Sequence, residues 1–203
     1  MDELDEDRLT LRFNYPTVRP APAAAAYIPR FVRIECGAKA DLWPVTNAVI
    51  TPYVAEAFAD RIKDAAAAMR ALAAERTFWE KATILHAEAH RPAEKEPNKN
   101  YSRHYADTAA LADHAAGKSA LADAALRGRV VEFKEAFYRN SWSNYGAAVP
   151  GTFKLLPSAA HAAMLETDYR RMQAEMFFGP SAPWAEVLAR LTALEHEINR
   201  PKE

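Results

Sequence analysis

The spacing of apolar residues changes once along the chain, near residue 75, and this change limits the folds available to it. Before that point, apolar and polar residues alternate in LTLRFNY (9–15) and FVRIECGA (31–38), and more weakly in VTNAVITPYV (45–54). Alternation with period two predicts half-buried strands. After it, apolar residues recur every three or four positions, which predicts helices near 75–90, 102–116, 119–140, 158–178 and 182–199.

We therefore predict an α+β chain with two domains. Residues 1–74 form the strand-rich part, and residues 75–203 form a bundle of about five helices.

Charge and composition exclude several classes of function. Lys plus Arg (26) nearly balance Asp plus Glu (27), so no overall positive field points to nucleic acid. The single cysteine, Cys36, excludes an internal disulfide and a cysteine-only zinc site. The acidic start MDELDEDRLTL is unlike a signal peptide, and no long apolar run predicts a membrane span. We expect a cytoplasmic protein with no membrane contact.

Glycine usage narrows the nucleotide-binding motifs that are open to the chain. All six glycines stand singly, so neither a dinucleotide-binding fingerprint nor a phosphate-cradling glycine loop is present in the sequence.

The helix ERTFWEKATILHAEAHRP (75–92) places Lys81 inside an aromatic and aliphatic run. On spacing alone, the ordinary explanation is a lysine that buries its methylene groups and keeps its ammonium in water; the alternative is a site residue. His86 and His90 lie one turn apart, but HAEAH lacks the glutamate that follows the first histidine in zinc metalloproteases. A zinc site is therefore disfavoured.

Two other segments carry charged residues that are candidates for chemistry. SRHYAD places Arg103 and Asp107 four residues apart, which is typical of a surface ion pair and also suits a charged cleft. Glu35 lies on the polar face of the strand FVRIECGA, where a carboxylate can hold Mg²⁺ or simply face water.

Together these segments resemble the AbiEii/AbiGii toxin family of nucleotidyltransferases, the toxin halves of type IV toxin–antitoxin and phage-abortive systems. ERTFWEKATILHAEAHRPAEK followed by SRHYAD carries the resemblance most specifically. It is supported along almost the whole chain by LRFNYP, YIPRFVRIECGAKADLWP, ITPYVAEAF, VVEFKEAFYRNSWSNY and EMFFG.

The resemblance implies a fold, an activity and a set of roles. The fold is the remnant of a nucleotidyltransferase-type mixed β-sheet followed by a helical bundle. The activity is transfer of a nucleotide from an NTP to an RNA such as tRNA, with Mg²⁺ on acidic residues. On the matching positions, Lys81 and Asp107 are catalytic, Lys81 and Arg103 bind the nucleotide, and Glu35 binds the metal.

One departure from the family pattern bears on catalysis. The Gly-Gly-Ser/Thr turn followed by two aspartates one residue apart is not in this sequence. Asp5 and Asp7 have the spacing of that pair, but no glycine turn precedes them, so we expect them to form a solvated turn. Glu35 alone cannot hold two ions between attacking and leaving oxygens. We expect the chain to correspond to the C-terminal two thirds of such an enzyme, incomplete for catalysis by itself.

The alternative is a non-catalytic module that binds a cognate antitoxin or RNA. An exposed strand edge would also allow a homodimer. Salt-sensitive RNA binding would then rest on a basic patch, made of Lys95, Lys99, Arg103, Arg127, Arg129 and Lys134.

Overall fold

The computed structural model describes residues 3–4, 9–16, 28–37, 41–177 and 179–201. The strands are β1 (Glu3–Leu4), β2 (Thr10–Asn14), β3 (Phe31–Glu35), β4 (Val45–Ile50) and β5 (Ala67–Leu72). The helices are α1 (Tyr53–Ala57), α2 (Ala74–Ala89), α3 (Ser102–Asp113), α4 (Ala115–Ala122), α5 (Ala124–Phe137), α6 (Ala162–Glu175) and α7 (Trp184–Asn199). This confirms the α+β class.

The described strands form two small antiparallel sheets. One has the order β1-β2-β3, and β4 pairs with β5 in the other. We expected part of a mixed sheet, and every pairing among the described strands is antiparallel. The strand β5 was not predicted, because AAMRAL lacks the alternation and the β-branched residues that mark a strand.

The segment predicted as two helices, 102–116 and 119–140, folds as the three helices α3, α4 and α5. His114 leaves helical geometry and accepts the backbone N–H of Ala116, and Asp123 accepts that of Leu126. Each side chain thus caps the helix that follows it. Gly117 lets α4 fold tightly back on α3, because a Cβ there would lie 2.0 Å from the carbonyl oxygen of Leu111.

The hydrophobic core is built around α2, which packs against α3, α4 and α5. From α2 it takes Phe78, Trp79, Ala82 and Leu85, all almost fully buried. The apolar stripes predicted on later helices supply much of the rest, namely Leu126, Val130, Leu165, Tyr169, Met172, Trp184, Val187, Leu191 and Ile198. None of the helices in the described ranges has both the length and the apolar character needed to cross a membrane.

Arg76 connects the chain that follows β3 to the helices. Its side chain is completely buried and donates to the carboxylates of Asp41 (2.8 Å) and Glu80 (2.9 Å) and to the carbonyl of Trp43. Arg129 of α5 donates two further bonds to Asp41, at 2.7 and 2.8 Å. These arginines, Arg129 foremost, lower the pKa of Asp41 to about 2.

The division into two domains near residue 74 stays a prediction.

Replacing this buried arginine should strongly destabilise the fold. We expect Arg76→Met to lower the free energy of unfolding by about 3 kcal/mol or more, because the carboxylates of Asp41 and Glu80 lose a desolvated partner. The measurement is urea unfolding at pH 7. Arg170→Met is the control, since Arg170 makes an equivalent i, i+4 pair with Glu166 in solvent and should cost about 0.5 kcal/mol or less. Equal losses in both variants would contradict this.

Candidate functional site

Lys81 and Asp107 form an ion pair between two helices. The ammonium nitrogen of Lys81, midway along α2, lies 2.7 Å from Oδ2 of Asp107 on α3. The Lys81 side chain is 22% exposed and that of Asp107 is 47% exposed, so a ligand in solvent can reach both. The ammonium is therefore directed by a partner rather than simply extended into water. The structure thus brings together the two residues that separate sequence motifs had singled out.

Arg103, in the same SRHYAD motif as Asp107, does not form the ion pair with Asp107 that the four-residue spacing suggests. Arg103 is exposed one turn before Asp107 and makes no ion pair with any residue that the structure describes. The predicted Arg103–Asp107 pair is absent, because the Asp107 carboxylate turns towards Lys81. The guanidinium of Arg103 is thereby left available to an anion beside the Lys81–Asp107 pair.

His104 also affects the electrostatics of this site, although no sequence motif singled it out. It is the next residue after Arg103 on α3, and its side chain is on the buried side of this helix. Burial, followed by the charges of Lys81 and Arg103, lowers the pKa of His104 to about 4. At neutral pH the imidazole is uncharged. The two positive charges of Lys81 and Arg103 therefore outnumber the single negative charge of Asp107. The site thus has a local positive balance on a chain of nearly neutral net charge.

The start of α3 is held in place by a residue of α6. The carboxylate of Asp168 accepts the backbone N–H groups of Asn100 and Ser102 and the hydroxyl of Ser102. These bonds satisfy backbone donors that a helix start leaves unpaired. They also fix the rotation of α3, and with it the direction in which Arg103 and Asp107 project.

Glu35 lies apart from these contacts, near the end of β3. Its side chain is 68% exposed and bonds to Arg33 at 3.2 Å. Within the described ranges, no group of three or more His, Cys, Asp or Glu side chains is arranged to hold a metal ion. One exposed carboxylate does not supply the octahedral oxygen set of Mg²⁺. The metal role of Glu35 stays a prediction, and Asp5 and Asp7 lie outside the described residues.

His86 and His90 are held by hydrogen bonds within the protein. Nδ1 of His86 accepts the backbone N–H of Lys154 (3.0 Å), so Nε2 carries the proton and donates to the carbonyl of Asn144 (3.0 Å). Nδ1 of His90 donates to the carbonyl of His86 (2.8 Å), and Nε2 accepts from the Asn144 amide (3.1 Å). All four ring nitrogens are used, and the pair fastens α2 to the segment around residue 144.

The neutral state of His86 makes stability depend on pH. Burial is the main cause that lowers its pKa from 6.5 to about 4, and the neighbouring His90 and Lys154 add to it. Between these two values the unfolded chain binds a proton that the folded chain excludes, so stability falls as the pH drops from about 6.5 to about 4. The contribution of one such histidine is at most roughly 3 kcal/mol.

We expect His86→Asn to be less stable than the parent chain at pH 7 and to lose less stability on acidification. Urea unfolding at several pH values between 7 and about 4.5 measures both quantities. An unchanged pH slope in His86→Asn would show that other groups cause the acid sensitivity.

The basic residues of the alternative hypothesis do not form one exposed patch. Lys134 is buried, and Arg129 is bound by Asp41. Arg127 packs its guanidinium 5.7 Å from the ring centroid of Trp79, and burial lowers its pKa. Among the six, exposed and unpaired positions are found only in Lys95, Lys99 and Arg103.

Comparison with known proteins identifies a family. The model of the family described as nucleotidyl transferase AbiEii toxin, type IV TA system, matches residues 2–190. The searches of curated proteins and of solved structures found no match.

Proposed function

The chain belongs to the AbiEii family of nucleotidyltransferase toxins of type IV toxin–antitoxin systems, and from that premise we propose that it supplies nucleotide-binding and catalytic residues for the transfer of a nucleotide from an NTP to an RNA such as tRNA. The paired aspartates of the family pattern are not in the sequence, so we expect the chain by itself to be incomplete for this reaction. The observation that carries the proposal is the partly exposed Lys81–Asp107 pair, with an exposed Arg103 beside it that makes no ion pair with the described residues. A cognate antitoxin is the expected protein partner, and the cytoplasm, where NTP and RNA are available, is the expected location.

The Lys81 ammonium suits a phosphate ligand. It has three N–H donors, of which Asp107 takes one, so two remain for phosphoryl oxygens. Because α2 is packed on several sides, the charge is held in place before the ligand arrives. A positioned cation stabilises the negative charge that spreads over phosphoryl oxygens during transfer. We assign Lys81 to the triphosphate and to the catalytic step.

Arg103 and Asp107 complete the proposed site. The planar guanidinium of Arg103 can bind two phosphate oxygens in a fixed bidentate geometry, whereas the ammonium of Lys81 acts as a point charge. Asp107 directs Lys81 and keeps an exposed carboxylate oxygen that can accept a hydrogen bond from the nucleotide.

A divalent cation is expected from the family resemblance alone. When bound, Mg²⁺ would neutralise charge on the triphosphate. The resemblance assigns this ion to Glu35, but the described residues around Glu35 do not form a coordination set for it.

Removal of the lysine should separate binding from stability. We expect Lys81→Ala to bind ATP, GTP, CTP or UTP about tenfold more weakly or worse, because hydrogen bonds to charged groups contribute roughly 1.5–3 kcal/mol. The melting temperature should fall by less than about 3 °C, since a half-exposed pair adds little stability. Calorimetric titration of each NTP in the presence of Mg²⁺ and thermal unfolding measure the two effects.

Arg190→Ala is the matched control for this experiment. Arg190 of α7 pairs with Asp113 on the same helix α3, at 2.5 Å, with exposed fractions of 26% and 70%. It should retain NTP affinity. A large loss of melting temperature in Lys81→Ala with unchanged NTP affinity would identify Lys81 as a packing residue. Absence of NTP binding by the parent chain would favour the non-catalytic module that binds an antitoxin or RNA.

Asp107→Asn tests the orienting role. The amide keeps the shape of the side chain but loses its charge, so Lys81 should be less well directed and NTP affinity should fall severalfold, less than in Lys81→Ala. The same titrations measure it. A loss larger than that of Lys81→Ala would show that Asp107 contacts the ligand more strongly than the lysine does.

A further inference from the structure

A cleft opens between α2, α5 and the segment after α5, apart from the Lys81–Asp107 pair. It has a volume of about 230 Å³, and neither Lys81 nor Asp107 lines it. Its polar and aromatic lining includes Glu88, Arg91, Asn98, Tyr101, Lys134, Tyr138, Asn140, Trp142 and Tyr145. A neighbouring cleft of about 400 Å³ shares Trp142 and Tyr145 with it.

Lys134 is the distinctive group of this cleft. Only 7% of the residue is exposed, yet its ammonium makes no hydrogen bond or ion pair with any residue in the described ranges. Its recorded contact is with the ring of Tyr138, at 4.7 Å from the centroid. The ammonium nitrogen is not among the fully buried atoms that lack a hydrogen bond, so the charge reaches the cleft that Lys134 lines. Burial also lowers the pKa of Lys134, while Glu80 opposes that change.

The carboxylates near Lys134 already have partners. Glu88 binds Arg91 through both oxygens, at 2.7 and 2.8 Å, and Glu80 is bonded to Arg76. The Glu88–Arg91 pair cancels its own charge within the cleft. The uncompensated charge is therefore the single positive charge of Lys134.

Aromatic rings line the same cleft as Lys134. Tyr138 is 44% exposed, and the guanidinium of Arg91 lies 4.3 Å from the ring centroid of Trp142. Aromatic side chains beside a cation are the combination that binds single nucleotides of a strand, because the bases stack on the rings and the cation pairs with the phosphate. A carboxylate or a bare anion would use the ammonium and leave the rings without a role.

We propose that this cleft binds a nucleotide unit, with its phosphate at Lys134 and its base against Tyr138 and Trp142. The unit belongs to a single-stranded RNA or to a free nucleotide, which share this chemistry. The inference rests on the proposed function in taking a nucleotide as the ligand. It adds a binding site separate from the Lys81–Asp107 pair.

The test uses the full chain and a fluorescein-labelled single-stranded RNA of about 12 nucleotides, followed by fluorescence anisotropy between about 50 and 200 mM KCl. We expect Lys134→Met to weaken RNA binding about tenfold at the lowest salt. The slope of log K against log salt should become shallower by about 0.7, as expected for one lost phosphate contact on a single strand. Its melting temperature should change little, because methionine replaces the buried apolar stem of Lys134 and the ammonium makes no ion pair within the described ranges.

Two further variants separate the site from general charge effects. Lys118→Met removes an equal charge from the exposed surface of α4 and should change RNA affinity less than about twofold. Trp142→Leu removes a stacking surface, so it should weaken RNA binding severalfold while the salt slope stays unchanged.

Competition with CMP and AMP distinguishes the two sources of the ligand. Displacement of the RNA at millimolar mononucleotide identifies a free nucleotide as the occupant, and its failure identifies a strand. Unchanged RNA affinity in Lys134→Met, an equal loss in Lys118→Met, or no binding of either probe by the parent chain would overturn the inference. The NTP titrations of Lys81→Ala decide the proposed function independently of these results.

Discussion

The position of α2 among α3, α4 and α5 constrains the rest of the structure. A helix that is surrounded in this way must find a partner for each polar side chain that it carries, because an unpaired buried charge is costly. Arg76 is paired with Asp41 and Glu80, His86 with two backbone groups, and Glu88 with Arg91. Each of these bonds also holds a neighbouring segment in place. The polar side chains of α2 therefore position the segments packed around this helix.

The candidate site follows from the same arrangement. Lys81 lies where α2 passes from the buried interface to solvent, so it has a partner in Asp107 and an ammonium that remains accessible. Lys134, on α5 beside the same helix, is nearly buried and makes no ion pair within the described ranges. Its side chain lines a cleft, where an anionic ligand would supply that partner.

Helices and strands could be predicted from the sequence where the apolar pattern was strong. Candidate site residues could be predicted where they lie in a long motif. The strands around Phe13 and Val32 follow from alternation, and α2 follows from its helical period. The expectation that these strands are half-buried was wrong, because Phe13 and Val32 are 42% and 51% exposed. The helix breaks at His114 and Asp123 escaped prediction, because a histidine or aspartate caps a helix only when its side chain turns back to the backbone. The spacing of Arg103 and Asp107 suggested a pair, but a lysine 26 residues earlier competes for the same carboxylate.

The sequence by itself determined the α+β class, the apolar stripes, the family and the residues Lys81, Arg103 and Asp107 as candidates, since these depend on local periodicity and on motifs along the chain. The tertiary structure decided which charges are paired and which remain free. It joined Lys81 to Asp107, buried His104 and Lys134, and bound Arg129 to Asp41. Such pairings depend on contacts between distant segments and on burial, and neither is encoded in the spacing of residues along one helix or strand.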